Sequence, residues 1–192
     1  MDFLINIEEL RARARKQIED GAVTENYKLD RDRVVAILNA ALATEIVCVL
    51  RYRYHYFVAS GIHSAGVAEE FLTHSNEELR HVDMLAERIN QLGGNPEMNP
   101  AVITQVSHSE YKEGESLAEM IREDLVAERI AIESYREMIR FFGEKDPTSR
   151  RLIEEILATE EEHADEFAKL LAKIEPTPKA ETQPGTKQAS SH

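Results

Sequence analysis

The chain has 192 residues, 42% of them hydrophobic and 31% charged, with no tryptophan, eight glycines and a formal net charge of −13. This length suits one domain with appended segments, and the balance favours long amphipathic helices over short strands joined by turns. The charge repels nucleic acid at long range, the single cysteine, Cys48, excludes an internal disulfide or a Cys-x-x-Cys metal site, and the residues after Met1 lack the regions of a signal peptide.

An all-α, cytoplasmic protein is therefore expected, with no apolar run approaching the roughly 18 residues of a membrane span. The first segment, from Asn6 to about Asp20, carries Ile7, Leu10, Ala14 and Ile18 at helical spacing beside Arg11, Arg13, Arg15 and Lys16. Gly21 fits its stop, and a connector runs to Leu29. The first long helix is expected from Asp30 to about Ala59, along the stripe Val34, Leu38, Ala41, Leu42, Val49, Tyr52 and Tyr56. The second opens near Ser64 and ends at Gly93-Gly94, along Val67, Phe71, Leu85, Ile89 and Leu92.

A long connection without a clean period follows, containing Pro96 and Pro100 and reaching Ser116. There Ser116 and Glu119 form a capping box that opens the third long helix, which Gly143 closes. Asp146-Pro147 opens the fourth, with Leu152, Ile156, Phe167, Leu170 and Ile174 on its stripe. From Glu175 the chain is polar, has almost nothing to bury and is expected to be disordered. The reading divides the chain into an N-terminal helix and connector (1–29), a four-helix bundle (30–174) and a tail (175–192). Two helical hairpins joined by one long crossover give the connectivity of a ferritin-like bundle.

Each stripe contains an acidic residue where a core position belongs. The seven-residue steps Leu38, Glu45, Tyr52 and Phe71, Glu78, Leu85 place Glu45 and Glu78 on buried faces, and Ile121, Glu128, Tyr135 and Ile153, Glu160, Phe167 do the same for Glu128 and Glu160. His81 and His163 follow Glu78 and Glu160 by three, on the same faces. The spacing repeats, with 33 positions from Glu45 to Glu78 and 32 from Glu128 to Glu160, so each hairpin supplies one Glu and one Glu-x-x-His. A lone glutamate on such a stripe usually reaches solvent from its edge. Four together do not fit that reading, because each buried ion costs several kcal/mol and the four would repel one another. Two divalent ions cancel the charge, and an oxygen-rich set with one imidazole per metal suits iron or manganese.

Glu77, Glu161 and Glu162 flank the motifs and are expected to face solvent. His74, four residues before Glu78 on the same side of that helix, is a packed core histidine, a group supporting the ligands or an iron entry contact. Tyr52 and Tyr135 are either core or hydrogen-bonded to ligands, and Cys48 is expected to be a small core residue.

At Glu45, Glu78-x-x-His81, Glu128 and Glu160-x-x-His163 the sequence resembles the ferritin superfamily over about residues 30 to 174, most closely bacterioferritins and their Dps-like relatives with a bacterioferritin-type site. The resemblance implies Glu45 and His81 on one iron, Glu128 and His163 on the other, and Glu78 and Glu160 bridging. Tyr52 and His55 match residues that follow the first ligand in bacterioferritins. Those proteins bind haem through a Met directly after the second-helix Glu, where this chain has Leu79, so haem is not expected. The short fifth helix of that family is replaced by the polar tail, and the cysteines of the thiol-bearing Dps-like proteins are absent.

The function implied is iron storage and detoxification by a ferroxidase. It oxidises Fe(II) with O2 or H2O2 at two iron ions per subunit and stores the ferric product in a homo-oligomeric cage, of twelve subunits rather than twenty-four. The alternative is a small di-metal redox enzyme, manganese catalase-like or rubrerythrin-like. DNA coating through the Arg11 to Lys16 cluster is disfavoured by the net charge, and no membrane association is expected.

Overall fold

A computed structural model describes residues 6–61 and 64–175. Within them the chain forms α1 (Ile7–Ala14), α2 (Arg31–Val58), α3 (Ser64–Gln91), α4 (Pro100–Val106), α5 (Leu117–Phe142) and α6 (Pro147–Ile174), with no strand among the described residues. The tail beyond Glu175 lies outside them. Three of the four long helices open on the caps expected: the side chain of Asp30 accepts from the Arg33 amide, Ser116 from Glu119, and Asp146 from Ser149. The first hairpin closes at Gly93, whose φ of +75° suits glycine, and Gly94 packs so tightly on α2 that a Cβ there would lie 2.6 Å from Val35.

Contacts between elements fix the topology. His81 of α3 meets Glu45 of α2, and Arg53 meets Asn76, so α2 and α3 run antiparallel. In the second hairpin Arg122 reaches Glu175 and Arg136 reaches Glu161, again antiparallel. Between hairpins, α2 packs on α5 and α3 on α6. Tyr52 meets Glu128 while His55 meets Asp124, and His74 meets Glu166 while Arg88 meets Ser149, so both seams are antiparallel too. Helices α3 and α5 therefore point the same way, which is why the chain needs a long crossover between them.

Two apolar clusters fill the bundle. One contains Leu38, Leu42, Leu85, Ile89, Phe142 and Ile156, and the other Tyr52, Phe71, Ile121 and Phe167. Arg88, Ser149, Asp146 and Tyr27 close the first end: Arg88 Nη2 lies 3.0 Å from Asp146 Oδ1, and the Tyr27 hydroxyl donates to Asp146 Oδ2 at 2.7 Å. The same carboxylate caps α6, so one residue ties the N-terminal connector to both α3 and α6.

Three local expectations need correction. The N-terminal helix stops at Ala14 rather than near Asp20; Gln17 turns left-handed at φ 50° and only a 3₁₀ turn, Ile18–Asp20, follows. Its apolar spacing finds nothing to bury against, since α1 has no buried residue and Ile18 is 70% exposed. The crossover is not wholly irregular, because Asn99 caps α4 with Pro100 in its first turn and Ile103 packs on Ala43 and Val47 of α2. With a single buried residue, α4 leaves no period to detect. Finally, α2 does contain an 18-residue window apolar enough to span a membrane, with a mean hydropathy of 1.9. It is apolar on several faces because it packs on α3, α4 and α5, and Glu45 sits buried in its middle.

Candidate metal centre

Between the two apolar clusters lie Glu45, Glu78, His81, Glu128, Glu160 and His163, none more than 6% exposed. They form two overlapping groups whose potential ligand atoms lie within 4.8 Å of one another: Glu45, Glu78, His81 and Glu160, and Glu78, Glu128, Glu160 and His163. His81 Nδ1 is 3.1 Å from Glu45 Oε2, 3.3 Å from Glu78 Oε2 and 3.1 Å from Glu160 Oε1. His163 Nδ1 is 3.2 Å from Glu78 Oε1, 3.6 Å from Glu128 Oε1 and 3.8 Å from Glu160 Oε2. Glu78 and Glu160 thus turn one oxygen toward each histidine, whereas Glu45 stands by His81 and Glu128 by His163.

This concentration of acid is held by protons in the metal-free chain. Burial, and then the charge of Glu78, push the Glu45 and Glu160 carboxyls well above the usual carboxylate range. Glu78 is lowered instead: burial opposes its ionisation, but hydrogen bonds from Glu45, His163 and His81 overcome it. Burial would also discharge the imidazoles, yet the carboxylates beside them prevail, holding His81 up at about 10 and His163 at about 11. Even so, Glu128 Oε2 and Glu160 Oε1 are buried without a hydrogen-bond partner. Unpartnered buried polar atoms are costly. A donor set of four carboxylates and two imidazoles, with lone pairs left over at its centre, fits two divalent ions of the iron or manganese type.

The surrounding residues hold this set in place. Tyr52 donates to Glu128 and Tyr135 to Glu45, so each hairpin's tyrosine grips the other hairpin's glutamate. The expectation that Glu77 faces only solvent is corrected: half-buried, it accepts from His163 Nε2 at 2.8 Å, which turns Nδ1 toward the centre. Glu161 and Glu162 are exposed, and Glu161 pairs with Arg136. His74 is buried, stacked on His163 at 3.9 Å between centroids, with Nε2 2.8 Å from Glu166. Cys48 is a buried free thiol in the second apolar cluster.

A further buried polar group stands one turn from the centre. Arg51 Nε and His55 Nδ1 each lie 2.8 Å from the Asp124 carboxylate, and their other nitrogens reach the crossover, Arg51 Nη1 donating to the Glu110 carbonyl at 2.9 Å and His55 Nε2 to that of Glu113 at 2.8 Å. Asp124 is four residues before Glu128 on the same face, a spacing that already hinted at burial.

Comparison with known proteins points to the same fold. The family model described as a ferritin-like domain matches residues 35–176. The chain is similar to a Brucella melitensis protein named bacterioferritin, 32% identical over 146 residues that make up 74% of this chain and 86% of that one. A Nostoc protein named nutrient stress-induced DNA-binding protein is 32% identical over 139 residues, 71% of this chain and 76% of its own. Among solved structures, a dodecameric thioferritin, the bacterioferritin-related protein from Bacteroides fragilis, matches with a TM-score of 0.74 and 32% identity, covering 77% of this chain and 89% of that one.

Proposed function

This chain belongs to the ferritin-like family, and on that footing we propose that it is an iron-storage and detoxification protein that oxidises Fe(II) at the buried cluster. The observation that carries the reading is the pair Glu78 and Glu160, each offering one oxygen to the His81 side and one to the His163 side. Two ferrous ions bound there as substrate would be held by Glu45 and His81 on one side and by Glu128 and His163 on the other, with Glu78 and Glu160 between them. Each ion gives up one electron; dioxygen takes two electrons and two protons to become hydrogen peroxide, or peroxide takes two of each to become water.

The protein's contribution is positioning and neutralisation. Tyr52 and Tyr135 hold the terminal carboxylates, Glu77 fixes the His163 ring, and the apolar clusters on both sides keep bulk water from the ions. The donor set suits manganese as well as iron. We assign no haem to the second helix position, because Leu79, 46% exposed, carries no thioether. The reading includes assembly into a homo-oligomeric cage, and twelve subunits are favoured by the dodecameric Bacteroides fragilis relative. DNA coating remains the weaker reading, since Arg13 and Lys16 of the basic segment are already paired with Glu9 and Glu25.

Anaerobic ferrous titration followed by size-exclusion chromatography after aerobic loading tests the proposal. Two ions per chain and co-elution of iron with a large assembly are expected. Saturation well below two per chain contradicts the site, and a small species that consumes peroxide without retaining iron identifies a di-metal redox enzyme instead.

A further inference from the structure

Beside the cluster, toward the surface between α3 and α6, a second set of ligand types converges. Glu70 and His74 stand four residues apart on one face of α3, and Glu166 faces them from α6; all three offer ligand atoms within 4.8 Å of one another. Both carboxylates are partly exposed while His74 is 1% exposed, so the set is wet at its mouth and dry at its base. Among the described residues neither Glu70 nor Glu166 forms an ion pair with a lysine or arginine, and Glu166 instead meets His74 Nε2 at 2.8 Å.

His74 itself supplies the independent observation. Its Nδ1 is buried without a hydrogen-bond partner, although Nε2 is 2.8 Å from Glu166. Buried ring nitrogens are rarely left without a partner, so an orphaned one beside two carboxylates points to a ligand. Its ring lies flat against His163, 18° from parallel, with Phe167 edge-on at 4.7 Å. His74 also groups with Glu128 and His163 within 4.8 Å, so it belongs to both the outer set and the edge of the inner one.

We propose that Glu70, His74 and Glu166 form a third divalent-cation site, outside the dinuclear cluster, that holds a ferrous ion at the surface before it moves inward past the His74–His163 stack. Two carboxylates and one imidazole, with the remaining positions left to water, suit Fe(II), Mn(II) or Zn(II). Three protein ligands and partial exposure make it the weaker site, which a staging post requires: it must release what it captures. The staging role rests on the dinuclear reading, whereas occupancy of the site by metal does not.

The experiment uses the full chain, crystallised and soaked in Mn(II), with anomalous difference maps for the parent and for the Glu70→Gln/Glu166→Gln double variant, which keeps His74. In the parent, a peak among Glu70, His74 and Glu166 is expected in addition to two inner peaks, and in the variant only the inner two. The Fe(II) concentration for half-maximal oxidation should rise about tenfold in the variant, the scale of losing supporting ligands at a metal site. Absence of the outer peak in the parent, or its persistence in the variant, overturns the site; an unchanged half-maximal concentration overturns the staging role. An outer peak without the inner two sinks the dinuclear reading while leaving the third site standing.

Discussion

Glu77 and His163 face each other across the seam between α3 and α6, the carboxylate 2.8 Å from Nε2, so that the opposite ring nitrogen points into the cluster. A carboxylate behind a ligating imidazole fixes its tautomer and raises its basicity. Glu77→Ala should therefore weaken metal binding on the His163 side by about tenfold, with Glu77→Gln recovering part of the loss because the amide oxygen still accepts. Anaerobic Co(II) titration, read in the visible bands, distinguishes the two variants. Equal affinity in both and in the parent means that the ring is held by packing alone.

Glu128→Ala should abolish rapid ferrous oxidation while leaving the bundle folded. Removing Glu128 lifts the charge that opposes ionisation of Glu160, but it opens a small cavity and strips Tyr52 of its acceptor. These effects oppose each other, so the metal-free melting temperature should move little, while the stabilisation conferred by metal should fall sharply. Stopped-flow oxidation at the parental rate sinks the assignment.

Metal binding and pH should be strongly linked. His81 and His163 hold their protons up to about 10 and about 11, and Glu45 and Glu160 are also raised, so an entering ion must displace protons. Affinity should climb as pH rises, and calorimetry in buffers of different ionisation enthalpy should register proton release. Buffer-independent heats contradict this.

The same protons shape metal-free stability. The folded pKa values of His81 and His163 lie above the unfolded value of about 6.5. Their contribution is therefore complete below pH 6.5 or so and is lost as pH rises toward 10 and 11. The raised carboxyls act in the same direction, because ionising them inside the fold is costly. Thermal melts should show the metal-free form weakening from neutral to alkaline pH, and the Mn(II)-loaded form keeping its stability over that interval.

Asp124→Ala should be among the most damaging single changes outside the cluster. It leaves Arg51 buried with no counter-charge and frees His55, the two residues that hold the crossover carbonyls of Glu110 and Glu113. Breaking a buried pair from one side costs about 3 to 5 kcal/mol. Urea denaturation measures the loss, and a change under about 1 kcal/mol, as for an exposed ion pair, refutes the buried-triad role.

Much of this was legible in the amino-acid order because helical periodicity and buried charge leave local marks. Glu45, Glu78, Glu128 and Glu160 interrupt apolar stripes at seven-residue steps, and such an interruption is visible without knowing what it faces. Partnerships across helices are not. Glu77 looks like any solvated glutamate until α6 brings His163 to it from 86 positions away, and Asp124 meets His55 across 69. Helix α4 and the early end of α1 escaped for the opposite reason: too little of either is buried to impose a pattern.

The crossed tyrosines bear on how the chain is made. Synthesis delivers α2 and α3 first, with Glu45, Glu78 and His81, but the hydroxyl that anchors Glu45 belongs to Tyr135, and Glu160 follows later still. A growing polypeptide therefore carries only an unbraced half of the cluster until α6 has emerged and the second hairpin has docked. On the function proposed above, iron and oxidant would meet at an ordered site only on a finished chain, which would spare the nascent one from oxidative chemistry at its own side chains.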